Sequence, residues 1–323
     1  MLSAFVPGEQ GLVRAPEATA AGFPDNAIWL DLFEPNLEEE KAVEIRLGID
    51  IPTREEMREI EASNRLYEED NALYMTATIV TKLDTDLPEN SQVTFILAGQ
   101  QLVTNRYVDP LPFRRYISYA ERHLATCGTS TAVLAGLLES IVNRIADVIE
   151  RVGSDLDAIS VEVFSARRRR STHRDFRTVL ERIGQSGELT SKTRESLVSL
   201  ARVLVFLQQA SDRTISQEAR GRFRTLGRDV LAMSDHASFL GTKVSFILDA
   251  TLGMINIDQN NILKIFSVVT VFLLPPSVIG AVFGMNFASM PWIHEAWGFW
   301  LSMGLMLLSS VVPFLIFKRR GWL

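Results

Sequence analysis

The sequence predicts a membrane protein with an N-terminal α/β domain, long stalk helices and two C-terminal transmembrane helices. Three observations lead to this fold class. Short β-forming runs alternate with a helical segment in the first 125 residues, helical periodicity with no proline dominates from residue 129 to residue 274, and two long uncharged stretches follow residue 264. The predicted segments are 1–125 (α/β domain), 126–262 (stalk), 263–286 (first span), 287–296 (outer loop), 297–317 (second span) and 318–323 (basic tail).

The N-terminal elements follow from local patterns. Strand-like runs lie at 27–33, 72–80 and 91–99, the last followed by QLVTNRY. Between them, NLEEEKAVEIRL at 36–47 predicts a helix, because Asn36 is a suitable N-cap and carboxylates fill the first turn. These elements together indicate a mixed α/β domain.

Three long helical patterns follow. The first begins near Thr129, the second near Thr190 and the third near Asp229, and the third continues into the first span. A helix from Ser238 to Phe283 would be about 70 Å long at ~1.5 Å per residue. Such a helix would couple the N-terminal domain directly to the membrane.

The two uncharged stretches are each long enough to cross a bilayer. They occupy residues 265–283 and 296–317, and about 20 apolar residues span a ~30 Å hydrocarbon core. Basic residues flank only one side of the pair, and residues 287–297 contain no Lys or Arg. The basic flank consists of Lys264, Lys318, Arg319 and Arg320. The positive-inside rule therefore predicts that both termini are cytoplasmic, in a bacterial inner membrane, and MLSAFVPGEQ predicts no cleavable signal.

Charge and motif content exclude other classes. Of the charged residues, 29 of 33 Lys and Arg and 38 of 39 Asp and Glu precede residue 261, so the soluble part is acidic. The basic run ARRRRSTHRDFR at 166–177 lacks interleaved aromatic residues and is interpreted as a solvated surface, with no nucleic-acid partner. One cysteine, Cys127, four scattered histidines and no GxxxxGK[ST] motif indicate no enzyme and no cofactor.

A polar stripe runs along the third helix. Steps of four and three from Asp249 reach every hydroxyl side chain of the first uncharged stretch. The stripe contains Asp249, Gly253, Asn256, Asn260, Leu263, Ser267, Thr270, Leu274 and Ser277. Polar groups in a span face protein or water, although hydroxyls bonded back to the helix would also be tolerated in lipid. We interpret the stripe as the lining of a path for ions.

Two helices cannot enclose a pore, so the stripe predicts several copies around a cyclic axis with the first span innermost. Leu263 and Leu274 would then form apolar rings that gate by dewetting. Pro275 and Pro276 remove backbone donors, and a kink or local loosening is expected there.

The stripe ends near Gly284, Met285 and Asn286. Asn286 lies off the heptad phase, so the helix must loosen or end at Gly284 for Asn286 to face inward. An amide at this position is a helix C-cap or a filter that accepts hydrogen bonds from a hydrated cation. The second role suits Mg²⁺, which loses its water reluctantly.

Gly284-Met285-Asn286 between two C-terminal spans resembles the signature of the CorA family of divalent-cation transporters. The stretch 255–287, the pair Met290-Pro291 and the closing FKRRGWL are similar to the bacterial magnesium-transporting branch. The resemblance implies a homopentameric channel with a cytoplasmic α/β funnel, a selectivity ring at 284–286 and an inner basic collar at Lys318, Arg319 and Arg320.

The resemblance also implies Mg²⁺ as the transported and the regulatory ion. Members of the family close when cytoplasmic Mg²⁺ binds between subunits, and Asp229, Asp235 and Asp249 are candidate regulatory ligands here. One departure concerns the outer loop, where Trp292 follows Met290-Pro291 and the usual acid is absent. Glu295 could supply an outer carboxylate ring, and His294 would suit Zn²⁺, Co²⁺ or Ni²⁺ better than Mg²⁺.

The leading hypothesis is membrane-potential-driven uptake of Mg²⁺, with Co²⁺ and Ni²⁺ as further candidates, by a homopentamer in contact with lipid. Two alternatives remain open. One is a zinc transporter of the same superfamily, with proton coupling as an option. The other is a membrane-anchored sensor or scaffold, for which a polar stripe in the anchor would have no use.

Overall fold

The computed structural model describes residues 1–16, 18–19, 22–83, 88–165, 175–210, 215–285, 295 and 297–320. The chain forms two compact units, Met1–Leu248 and Asp249–Leu323. The strands are β1 (Leu2–Pro7), β2 (Leu12–Ala15), β3 (Trp29–Phe33), β4 (Leu66–Glu69), β5 (Ala72–Thr81), β6 (Glu89–Ala98) and β7 (Gln101–Arg106). The helices are α1 (Leu37–Leu47), α2 (Ala62–Arg65), α3 (Leu111–Ala120), α4 (Leu124–Cys127), α5 (Ser130–Phe164), α6 (Phe176–Gln209), α7 (Gln217–Phe283) and α8 (Gly298–Arg319).

A single seven-stranded sheet organises the first unit. Its strand order is β2-β1-β3-β7-β6-β5-β4, and all neighbouring pairs are antiparallel except β3 and β7. Every residue of β5 is buried, because helices and neighbouring strands enclose it. The predicted strands at 27–33, 72–80 and 91–99 correspond to β3, β5 and β6, whereas the sequence patterns did not reveal β1, β2 and β4.

Helix α1 has the predicted N-cap. The Asn36 side chain accepts hydrogen bonds from the backbone N–H groups of Glu38 and Glu39, and the Glu39 side chain accepts one from the Asn36 N–H. This reciprocal capping box satisfies donors that a helix start would otherwise leave free. Gly48 then ends the helix in the left-handed region at φ 65°, which glycine adopts without strain.

A charged network is buried between β3 and β7. The Arg106 guanidinium donates to both carboxylate oxygens of Asp31, at 2.8 Å for the shortest contact, and both side chains are about 95% buried. Thr104 donates to the same carboxylate and accepts from the indole N–H of Trp29. Burial alone would lower the pKa of Arg106, but its hydrogen bonds and charge interaction with Asp31 raise the pKa instead. The network therefore joins the two parallel strands by fully paired polar groups.

Two of the long helices begin earlier than the sequence predicts. Helix α6 starts at Phe176, with Asp175 as N-cap, fourteen residues before Thr190, and α7 starts at Gln217. The first half of α6 buries small and polar side chains such as Ser186 and Thr190, so its apolar period is weak. The predicted order of an α/β domain, long helices and two C-terminal apolar helices is confirmed.

Candidate functional site

The second unit contains the membrane-spanning candidate, an α-helical hairpin. Within the described residues, two helices are long and apolar enough to cross a bilayer, α7 and α8, and their apolar windows are not buried inside the protein. A core helix of a soluble protein would be covered, so the exposure of these apolar surfaces favours a lipid environment.

A hydrogen bond and a close contact fix the register of the hairpin. Ser310 of α8 donates to the carbonyl oxygen of Phe272 at 3.1 Å, and a Cβ added at Gly280 would lie 3.2 Å from Met306 Cε. In this antiparallel register Lys264 lies at the level of the last turn of α8, which carries the basic residues. The positive charges therefore flank the same end of the hairpin.

The predicted polar stripe points away from α8. In the segment 265–283 of α7, the partly covered residues are Val268, Pro275, Pro276, Ile279 and Phe283, together with Gly280. In contrast, the stripe positions Asn256, Asn260, Leu263, Ser267, Thr270, Leu274 and Ser277 are all exposed. With about 100° between successive helical residues, the centres of these two faces lie roughly 180° apart. The hairpin therefore leaves the whole stripe available to other copies of the chain or to water.

The hydroxyl groups of the stripe are oriented by their own helix. Ser267, Thr270 and Ser277 donate to carbonyl oxygens four residues earlier, at 2.8, 2.9 and 2.8 Å. Each hydroxyl has used its one proton, so its oxygen offers only acceptor lone pairs to the surroundings. Water molecules bound to a cation direct their hydrogens outward, and such acceptors suit them.

Helix α7 ends where the sequence predicts a change. It continues without interruption through Pro275 and Pro276 and stops at Phe283. The Gly284 N–H still donates to the Gly280 carbonyl, whereas the Met285 N–H donates three residues back, to Val282. The last turn is thus tightened at Met285. Asn286, the predicted filter residue, lies outside the described residues, as do Trp292 and His294.

The charged candidates are all exposed in the single chain. Glu295, Lys318, Arg319 and Arg320 are solvent-accessible, and so are Asp229, Asp235 and Asp249 on α7. Among the described residues, no group of three or more His, Cys, Asp or Glu side chains converges to hold a metal ion. One subunit therefore does not assemble a regulatory site from the three aspartates alone.

Sequence reasoning did not identify the contacts that orient the stripe. Ser310, Gly280 and Met306 determine which side of α7 the second span covers. Two signals were available in the sequence. One is the small residue Gly280, and the other is the set of serines Ser302, Ser309 and Ser310, which share the partly covered side of an otherwise apolar α8.

Comparison with known proteins agrees with this architecture. A family model described as "CorA-like Mg2+ transporter protein" matches residues 24–319. Proteins named magnesium transport protein CorA from Pasteurella multocida and Escherichia coli are 33% and 32% identical, and each alignment covers all of both chains.

Solved structures extend the comparison to the fold. The complete CorA magnesium transporter of Methanocaldococcus jannaschii superposes with a TM-score of 0.77 at 21% identity, over 100% of this chain and 99% of that chain. The full-length CmaX protein superposes with a TM-score of 0.71 at 14% identity, over 100% and 98% of the chains. Members of this family transport ions and are not enzymes, and the chain belongs to the CorA-like Mg²⁺ transporter family.

Proposed function

We propose that this chain mediates passive uptake of Mg²⁺ across a bacterial inner membrane as a homopentamer. The main supporting observation is the orientation of the α7 stripe, which faces away from α8, the only other candidate span within the described residues. A stripe of this kind can be enclosed only by other copies. Relatives that match over the full length are named magnesium transport proteins, which supports the choice of ion.

In the proposed pore, residues 263–286 of each subunit line the path and residues 297–317 form the lipid-facing layer. The acceptor oxygens of Ser267, Thr270 and Ser277 would receive hydrogen bonds from the water shell of Mg²⁺. Leu263 and Leu274, both more than half exposed in the single chain, would form the apolar rings that close the pore by dewetting.

The ends of the path are assigned by the same proposal. Gly284, Met285 and Asn286 would form the outer filter, followed by the loop 287–296, in which Glu295 and His294 would stand at the outer mouth. The basic tail at 318–323 would surround the inner mouth. Domain 1–125 and stalk 126–262 would lie in the cytoplasm, where Mg²⁺ bound between subunits near Asp229, Asp235 or Asp249 would close the pore.

The membrane potential would drive this transport. An inside-negative potential contributes about 2.3 kcal/mol per elementary charge per 100 mV, so a divalent cation gains about twice that value on entry. This gain is available to any divalent cation, and Co²⁺ and Ni²⁺ are proposed as additional substrates.

Flux through proteoliposomes tests the proposal. Asn286→Ala is expected to reduce Mg²⁺ influx at least tenfold, because it removes the amide ring that accepts from the hydrated ion. Asn261→Ala is the matched control, since it removes an amide that lies off the stripe, and its influx should equal that of the wild type. Equal influx in Asn286→Ala and wild type would refute the filter assignment.

Metal competition in the same proteoliposomes tests the ion. Excess Mg²⁺ should suppress the uptake of labelled Co²⁺, whereas Zn²⁺ at the same concentration should do so less strongly. Stronger suppression by Zn²⁺ would instead indicate a zinc transporter. The absence of any metal flux from correctly assembled protein would favour a sensor or scaffold.

A further inference from the structure

A second candidate site lies in the first unit, at the edge of the sheet. Strand β4 pairs only with the first part of β5, from Ala72 to Met75. The same edge of β5 therefore has no strand beside it from Thr76 onward. Helix α6 covers this edge instead. The backbone N–H of Thr78 donates to the Ser199 hydroxyl at 2.9 Å, and the Ser196 hydroxyl donates to the Thr78 carbonyl at 2.9 Å.

Helix and sheet edge do not meet along their whole length. They leave a cavity of about 440 Å³ beside the point where β4 begins, a size within the usual range for small-ligand sites. Its wall on α6 is one face of that helix, with residues at positions i, i+3, i+4, i+7, i+8 and i+11. These are Ser191, Arg194, Glu195, Val198, Ser199 and Arg202.

Three guanidinium groups line the cavity, from Arg65, Arg194 and Arg202. Arg65 is half-buried and donates to the Thr78 hydroxyl at 3.1 Å and to the Glu59 carbonyl. Within the described parts of the chain, Arg194 and Arg202 have neither a hydrogen bond nor an ion pair.

One carboxylate faces these three cations. The Glu195 side chain lines the cavity, but it accepts a hydrogen bond from the amide of Asn90 at 2.7 Å. Burial lowers the pKa of Arg65; Glu195 opposes this effect, and Arg202 adds to it. The cavity therefore carries a formal excess of two positive charges in a chain whose net charge is −6.

We propose that this cavity binds the polyphosphate group of a soluble small molecule. Guanidinium groups bind phosphate oxygens through paired N–H donors, and two of the three groups here have all their donors available. The volume exceeds that of a single phosphate group and accommodates a chain of them. Bound polyphosphate would link α2 and β4 to α6 beside the edge of β5.

Calorimetric titration of the purified full-length protein in detergent micelles tests this proposal. The probes are inorganic triphosphate, ATP, inorganic phosphate and adenosine, all in excess EDTA so that chelation of Mg²⁺ contributes nothing. Triphosphate and ATP should bind, phosphate should bind at least tenfold more weakly, and adenosine should not bind. Binding of adenosine, or no binding of triphosphate and ATP, would overturn the proposal.

Paired variants distinguish this cavity from the basic tail. Arg194→Gln with Arg202→Gln should weaken triphosphate binding about 100-fold, or roughly tenfold per lost charge-assisted contact. Both side chains lack partners in the described structure, so the circular dichroism spectrum and the oligomer elution volume should stay unchanged. Arg177→Gln, which removes one positive charge on an exposed part of α6 away from the cavity, is the control for each of the two single variants. Unchanged binding in the double variant, or an equal loss in the control, would contradict the proposal.

Discussion

The two units of this chain differ in how their polar groups are buried and paired. In the first unit Asp31, Arg106 and Thr104 are buried and hydrogen-bonded to one another within a single subunit. In the second unit the residues Ser267 and Thr270 are exposed on the otherwise apolar segment 265–283 of α7, on the side that α8 does not cover. The sheet thus completes its polar network alone, whereas the hairpin presents a polar face that one subunit cannot use. This difference is the physical basis for the proposal that ions pass along the second unit.

Removal of one partner from the buried network should have the largest effect on stability. Asp31→Ala leaves the Arg106 charge buried without its main partner, and we expect a loss of about 3–5 kcal/mol in the free energy of unfolding. This loss is measured by denaturant titration in detergent, with tryptophan fluorescence as the signal of unfolding.

Glu181→Ala is the matched control for this loss. It breaks the exposed Arg177–Glu181 ion pair, whose contribution should be below about 1 kcal/mol. Equal losses in the free energy of unfolding in the two variants would show that the stability of the first unit does not depend on its buried network. The contrast drawn between the two units would then no longer hold for the first unit.

The hairpin contact should be the next most sensitive position. Gly280→Val places a branched side chain against Met306 and should destabilise the α7–α8 packing by about 1–3 kcal/mol. Gly304→Val on α8 is the control because nothing lies within 4 Å of a Cβ added there. Thermal loss of the assembled oligomer, measured by gel filtration after heating, should occur at a lower temperature in Gly280→Val alone.

The N-cap of α1 should show the smallest effect. Asn36→Ala removes the acceptor for two backbone N–H groups and should reduce stability by about 1 kcal/mol. Mg²⁺ influx per assembled oligomer should be unchanged, because the change is confined to the first unit. A reduced influx at full assembly would show that the two units are not separable in function.

The features that sequence predicted correctly depend on local chemistry. Asn36 was identifiable as an N-cap because its partners lie two and three residues away, and the stripe was identifiable because its members follow the period of one helix. Features that depend on distant pairing were not accessible. The parallel pairing of β3 with β7 and the cavity between Arg65 and Arg194 both join residues far apart in the chain.

The early start of α6 shows a second limit of prediction from the sequence. The first half of α6 buries Val179 and Ile183 but continues with Ser186 and Thr190, so its apolar period is short. The start predicted near Thr190 therefore lies fourteen residues after the observed start at Phe176. Similarly, the apolar composition of α8 reveals a span, whereas the side that contacts α7 is marked only by Ser302, Ser309 and Ser310.

Cysteine accessibility tests the central claim, that the stripe of α7 borders an aqueous cation path, most directly. The natural Cys127 is fully buried and is the only cysteine, so single cysteines can be introduced with little background. Ser267→Cys, Thr270→Cys and Ser277→Cys should react with a water-soluble, positively charged thiol reagent in proteoliposomes, and the reaction should reduce Mg²⁺ influx. Val268→Cys and Ile279→Cys, on the side covered by α8, should react at least tenfold more slowly. Equal reactivity on both sides, or no reaction at the stripe with and without Mg²⁺, would contradict the account.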